Sequence, residues 1–339
     1  MQLRAVLLAT ALAGAALAGC TSDDSTPDSP EPTATSAAAL PPGSPSPTTS
    51  AAPTPPPWVT DPAPVVRRDR LSPDDVSTAT AWSAVLRLAG DIGPRHGTSA
   101  EFRRAADEVA EELAGRGYDV RRQPFDVPGG DSWGVLVDPG RSLNVVATLP
   151  GTRLDEPHLV VGAHLDTVPQ APGAEDNASG VGVLLAVAEA VAARRTRLPV
   201  VLVAFGAEEP RGPTDDDHHY GSRHYVASMS GAERRAVRGM VSLDRVGVGA
   251  VLPVCSAGAP DPMRASLVAA AGRADVPVRR CTGNRASDHW SFVREGLPGA
   301  RLGSTPYAGY HSPDDVPSVI DRRQLARAAR TVIAWLAPR

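Results

Sequence analysis

The chain has 339 residues and a formal net charge of −4, enough length for one large or two small domains. It lacks the long basic stretch that nucleic-acid binding requires, and its positive charge is carried by arginine alone, since no lysine occurs.

Residues 1–19 have the layout of an export signal: Arg4 near the start, an apolar run from Ala5 to Leu17, then Ala18-Gly19 before Cys20. The run is shorter than the ~20 apolar residues that span a bilayer. Leu17-Ala18-Gly19-Cys20 resembles the lipobox of bacterial lipoproteins, which implies cleavage before Cys20 and a lipid on its thiol. The expected location is extracytoplasmic, anchored to the cell membrane through Cys20, with plain secretion as the alternative. Residues 20–67 are dominated by Pro, Ser, Thr, Ala and Asp, a mixture unable to bury enough apolar surface to offset its ordering entropy, and are expected to be a disordered tether. Cys255 and Cys281 remain; an extracytoplasmic compartment permits them to pair, and two buried free thiols are the alternative.

Residues 68–339 alternate between helical periodicity and short apolar runs, which predicts an α/β domain with a mostly parallel central sheet and helices on both faces. Phe102, Ala106, Val109 and Leu113 make one helical face, stopped by Gly115 and Gly117. Leu159–Gly162 and Val200–Phe205 are unbroken apolar runs of the kind needed by strands covered on both sides, and Met240–Leu243 is a third. Gly180–Ala193 reads as the helix between the first two, and Leu325, Ala329, Val332 and Leu336 line a closing helix.

Each strand runs directly into ionisable residues: His164-Leu165-Asp166 after the first, Glu208-Glu209 after the second, Asp244 after the third. The carboxyl ends of parallel strands share one edge of the sheet, so these groups converge in the crevice where ligands bind. Carboxylates brought together without compensation repel, and their convergence with imidazole points to a metal site. Asp176 precedes the intervening helix and belongs with His164, while Asn177 and Ser179 read as helix caps. His311, in the loop Tyr310-His311-Ser312-Pro313, joins the set only because the other groups are present.

The ordered series Gly-Ala-His164-Leu-Asp166, Asp176-Asn-Ala-Ser-Gly, Ala-Glu208-Glu209, Leu-Asp244, Ser287-Asp288-His289 and Tyr310-His311 resembles the di-zinc aminopeptidases of metallopeptidase clan MH, a family related to glutaminyl cyclases. The resemblance runs from about residue 68 to the end. It implies a zinc exopeptidase acting on peptides, with two zinc ions: His164 and Asp244 on one, Glu209 and His311 on the other, Asp176 between them. It assigns Asp166 to accept a hydrogen bond from the His164 imidazole, Glu208 to be general base, and Tyr310 to donate to the oxyanion or else pack. It also implies a cis peptide between Asp176 and Asn177, and a substrate pocket near Arg285, Asp288, Trp290 and Phe292, with core packing the default for the two aromatics. In place of the family's short link after Glu209, residues 211–220 intervene, including Asp215-Asp216-Asp217-His218-His219; a solvated loop is expected there.

Two rival readings stand beside this one. A glutaminyl-cyclase-like acyltransferase shares the resemblance, although those enzymes work with one zinc and lack the full ligand set. A non-catalytic peptide-binding lipoprotein has no need of a free Glu208. The acetylornithine-deacetylase type, resembled by His164-Leu-Asp166, ranks third because there is no room for its dimerisation domain.

Overall fold

The structure, a computed structural model, describes residues 69–338; the export segment, Cys20 and the tether lie outside the described residues. In chain order the strands are β1 (Asp119–Val127), β2 (Gly130–Ser132), β3 (Val135–Val137), β4 (Gly140–Thr148), β5 (His158–His164), β6 (Val200–Phe205), β7 (Val237–Asp244), β8 (Leu252–Cys255), β9 (Val278–Cys281) and β10 (Gly299–Gly303). The α-helices are α1 (Thr78–Val85), α2 (Ala100–Gly115), α3 (Ser179–Ala193), α4 (Tyr220–Ala227), α5 (Gly231–Ala236), α6 (Pro262–Arg273), α7 (His289–Val293) and α8 (Arg322–Leu336).

Eight strands form one sheet in the order β1-β4-β6-β5-β7-β10-β8-β9, and β2 pairs with β3 in a separate hairpin. The four central strands β6, β5, β7 and β10 are parallel to one another, whereas β4 pairs antiparallel with both β1 and β6 and β8 pairs antiparallel with β10. The apolar runs predicted as strands are the central β5, β6 and β7. Within β6, Val200, Leu202 and Ala204 join, on one face, the main core that α1, α2, α3, α6 and α8 share, while Val201, Val203 and Phe205 join Tyr225, Val226 and Phe292 in a second core on the other. Side chains on a strand alternate between faces, so two covered faces require an unbroken apolar run.

Helix α2 forms as read in the sequence, whereas Ser179, read as a cap of α3, instead donates to the Glu175 carbonyl at 2.7 Å and accepts the Val246 amide at 3.1 Å. The Ser99 hydroxyl accepts the Phe102 amide at 3.0 Å to start α2, which buries Phe102, Ala106, Val109 and Leu113. Asn177 Oδ1 accepts the Gly180 amide in the first turn of α3, and its Nδ2 donates to the Leu243 carbonyl, tying that helix to the end of β7. A Cβ on Gly180 would stand 2.3 Å from that same carbonyl, so only glycine allows so close an approach. Cys255 and Cys281 are disulfide-bonded across the paired ends of β8 and β9, which resolves the alternative left open above.

Arg95 is wholly buried and donates to five main-chain carbonyls: Leu165 at 2.7 Å, Pro172 at 2.7 Å, Gly93 at 3.0 Å, and Leu88 and Gly173 at 3.2 Å. Burial pulls its pKa down to about 10, against the raising influence of Asp166, Asp315, Asp176 and Glu209. The guanidinium thus stitches the loop after β5 to the segment before α2. Replacing it with leucine strands these carbonyls and removes a cation from among carboxylates. Arg95→Leu is expected to lower unfolding stability by roughly 3–5 kcal/mol, read from the urea midpoint, and a shift below 1 kcal/mol would contradict this role.

Candidate metal centre

The chain passes from β5 through α3 to β6 on one side, then returns to β7 on the other, leaving a crevice at the carboxyl ends of β5, β6 and β7. His164 ends β5, Asp244 ends β7, and Glu208 and Glu209 follow β6; Asp176 and His311 come in on loops. Asp176 presents Oδ1 to His164 Nε2 at 3.1 Å and Oδ2 to His311 Nε2 at 3.2 Å. His311 Nε2 also lies 3.3 Å from Glu209 Oε2, and His164 Nε2 lies 4.0 Å from Asp244 Oδ1. The sequence-predicted ligand set therefore meets in one place, with every member buried.

Further polar groups lock these donors. Asp315 accepts the Glu175 and Asp176 amides at 2.8 and 3.0 Å and the Tyr307 hydroxyl at 2.9 Å. Arg301, itself buried, donates to Asp244 Oδ1 at 2.7 Å, and Arg245 Nε stands 3.7 Å from Asp244 and 4.0 Å from Asp176. Ala207, Arg245 and His311 hold left-handed backbone conformations, with φ of +50°, +56° and +54°, and such positions cluster where function demands a particular side-chain direction. The Asp176–Asn177 peptide is cis, as the family resemblance implies.

One expectation needs correction. His164 Nδ1 meets the main-chain oxygen of Asp166 at 3.1 Å, while the Asp166 carboxylate stands farther off at 3.8 Å. That carboxylate is taken up by the amides of Glu208 and Glu209, at 3.0 and 3.1 Å. Asp166 thus orients the His164 imidazole through its backbone and the two glutamates through its side chain.

Electrostatics test whether the site suits a cation. Burial, with Asp176 and Glu208 adding to it against His311, pushes Glu209 up to about 7. Burial lowers His311, but Glu209 and Asp176 outweigh it and carry the imidazole up to about 10. Burial raises Glu208, yet the His164 and His219 imidazoles hold it well below the usual carboxylate range. Oε1 of Glu209 and Nδ1 of His311 are buried without a hydrogen-bond partner among the described residues. Two donor groups lie with their ligand atoms within 4.8 Å of one another: His164, Asp176 and Glu209, and His164, Glu208 and Asp244. A mixed imidazole and carboxylate set, with Glu209 Oε1 unpaired and the Nε2 atoms of His164 and His311 turned toward Asp176, fits zinc.

The other predicted residues are placed differently. Tyr310 stacks on His311 with ring centroids 3.7 Å apart and lies under the Arg245 guanidinium at the mouth of the site. Asp288 is fully buried, and its carboxyl, raised to about 7 by burial and then by Glu208, has no hydrogen-bond partner among the described residues. Arg285 is exposed and sits over the half-buried Trp290 at 4.7 Å, and Phe292 joins the core with Phe205 and Tyr225. Loop 211–220 is exposed from Pro213 to Asp216, whereas Arg211 and His219 are buried, and His219 Nε2 approaches Glu208 Oε1 at 3.2 Å. Arg245, Arg301, Asp315 and Trp133, whose ring stands edge-on to His311 at 4.4 Å, went unread in the sequence, and His219 reads there only as part of a solvated loop.

Residues 144–336 match the profile of Peptidase family M28, more than half of the chain. The chain belongs to that family. Among sequence relatives, this M28 peptidase is 29% identical over 205 residues to "Aminopeptidase YwaD" of Bacillus subtilis, covering 57% of this chain and 44% of YwaD. Its fold superposes on BSAP, a zinc aminopeptidase from Bacillus subtilis, with a TM-score of 0.68 and 19% identity, over 77% of this chain and 94% of that one. It also superposes on the glutaminyl cyclase of Porphyromonas gingivalis, with a TM-score of 0.66 and 24% identity, over 77% and 98% of the two chains.

Binding of a cation must displace the protons that His311 and Glu209 hold in the metal-free peptidase. Zinc affinity is expected to fall by at least about tenfold per pH unit on going down from pH 9 to 7, since His311 titrates at about 10 and the His164 imidazole is also raised well above its ordinary value, and more steeply below 7, where Glu209 adds its proton. Chelator competition across pH 5.5–9 reads this slope, and a flat profile would remove both groups from the ligand set.

Proposed function

We propose that this M28 peptidase is a two-zinc aminopeptidase. The observation that carries the reading is Asp176, whose two oxygens face the imidazoles of His164 and His311 at 3.1 and 3.2 Å, the arrangement of a carboxylate shared between two cations. His164 and Asp244 would hold one ion, Glu209 and His311 the other. When bound, two zinc ions lower the pKa of a water molecule and polarise the scissile carbonyl.

The remaining work falls to the chain itself. Glu208, buried and held in its charged form, takes the proton of the attacking water and hands it to the leaving amine. Asp166 fixes both glutamates by gripping their amides, so Glu208 and Glu209 leave the end of β6 in set directions. Tyr310, half-exposed over His311, is placed to donate a hydrogen bond to the developing oxyanion. The name of the YwaD relative supports removal of residues from the amino end. The complete donor set for a second ion favours hydrolysis over the cyclase reading. Export and lipidation at Cys20 complete the proposal and place the catalytic domain outside the cytoplasm on a tether.

Three results test it. With zinc loaded, a mixed peptide panel read by mass spectrometry is expected to lose residues from the free amino end, and cyclisation of amino-terminal glutamine without trimming would return the site to the cyclase reading. Glu208→Gln is expected to lower kcat by about 10²–10⁴-fold while zinc content is kept; retained turnover would remove Glu208 as base. Cys20→Ser is expected to move the protein from the membrane to the soluble fraction, and unchanged fractionation would end the lipid-anchor proposal.

A further inference from the structure

Among the buried groups that the mechanism leaves unused, His219 stands against the proposed base. Glu208 has a conflict built into its position. Its carboxylate lies with donor atoms of His164 and Asp244 inside a 4.8 Å cluster, a three-donor set able to take a cation by itself. A carboxylate needs only rotation about its side-chain bonds to close on a nearby ion, and once ligated it no longer accepts a proton from water.

Loop 211–220 supplies the opposing partner. His219 is 4% exposed, and its Nε2 lies at ion-pair distance, 3.2 Å, from Glu208 Oε1 and makes no hydrogen bond to any described residue. The imidazole is delivered to that spot by a rigid return of the chain. The His219 amide donates to the Glu208 carbonyl and the Tyr220 amide to the Ala207 carbonyl, both at 2.9 Å, so the base and its partner are clamped backbone to backbone. His219 adopts a left-handed conformation with φ of +59°, and the Ser222 hydroxyl holds its carbonyl at 3.3 Å. Just beyond, a Cβ on Gly221 would sit 2.2 Å from the Gly206 oxygen, which leaves the loop no slack. Farther out, Arg211 and Asp217 close the loop's neck at 2.8 Å, and Arg294 grips Asp216 at 3.1 Å.

We infer that His219 is a positioning residue that holds Glu208 off the metal ions, so that it stays a base and does not become a sixth ligand. The inference rests on the reading of Glu208 and the two-zinc site given above. It assigns a purpose to a loop otherwise read as solvated: the exposed aspartates anchor its outside, and its inner end restrains the catalytic carboxylate.

The test compares His219→Leu, which fills the space without a polar group, with His219→Gln, which restores a donor at similar reach. Three quantities are measured on the full chain: kcat and KM on a trimmed peptide, zinc affinity by chelator competition, and the visible absorption of the cobalt(II)-substituted protein. His219→Leu is expected to lose about 10–100-fold in kcat with KM within about threefold, the range seen when partners of metal-site groups are removed. Its zinc affinity should be unchanged or higher, and its cobalt absorption should weaken and shift as coordination number rises. His219→Gln should recover most of the kcat and the parent spectrum. Adding Glu208→Gln to His219→Leu should return the spectrum to that of the parent and cost no more turnover than Glu208→Gln alone. A parent-like cobalt spectrum in His219→Leu, or a loss of kcat that merely tracks loss of zinc, overturns the inference. Should His219→Leu not fold, His219→Asn, too short to reach Glu208, is read against the same outcomes. Wild-type turnover in Glu208→Gln alone would instead sink the underlying reading of the base.

Discussion

Everything at this edge of the sheet answers to one constraint, the repulsion among carboxylates buried together. Asp176, Glu208, Glu209 and Asp244 converge at the ends of β5, β6 and β7, out of reach of the water that would screen them. The surroundings consist largely of compensation. Arg301 takes Asp244, Arg245 stands over Asp244 and Asp176, Arg95 lies beneath, and the amides of Glu175, Asp176, Glu208 and Glu209 are directed onto two further carboxylates. Even so, Glu209 Oε1 and His311 Nδ1 keep no hydrogen-bond partner among the described residues, and a cation bound among these carboxylates offsets the repulsion that remains.

Arginine suits that task better than lysine would. A guanidinium spreads its charge and offers five donors in a plane, so it tolerates loss of water provided carbonyls or carboxylates surround it. Arg95 saturates itself on main-chain oxygens, and Arg301 divides its donors between the Ala286 carbonyl and Asp244. The same guanidinium therefore serves as a structural clamp and as a fixed positive charge in the site.

Much of this was legible in the sequence because the central strands are covered on both sides. Leu159–Gly162, Val200–Phe205 and Met240–Leu243 stand out as apolar runs, and each is followed within three residues by its ionisable group, His164, Glu208 or Asp244. What went unread depends on contacts distant in sequence or on weak patterns. The edge strand β1 alternates exposed and buried residues only in part, as an edge open to water allows, and β4 beside it mixes polar residues such as Ser142 and Asn144 into its run. Asp315, Arg245 and Arg301 look like ordinary surface charges until the fold brings them to Asp176 and Asp244. His219 hides behind three aspartates, where local composition signals solvent and only the return to Ala207 and Glu208 reveals otherwise. The role of Asp166 divided between backbone and side chain because two amides compete for its carboxylate, a competition invisible before the turn after β6 is known.

The spacing of the ligand donors carries a further consequence. His164, Asp176, Glu209, Asp244 and His311 come from separate strands and loops, and no two neighbours in that series are joined by a single local turn able to grip an ion tightly. A chain emerging from the ribosome, or threading a translocon unfolded, owns no high-affinity site until its last histidine has docked beside β5. Zinc acquisition is then a late event in maturation, and proteolytic competence arrives only after the whole sheet has assembled, wherever in the cell that assembly takes place.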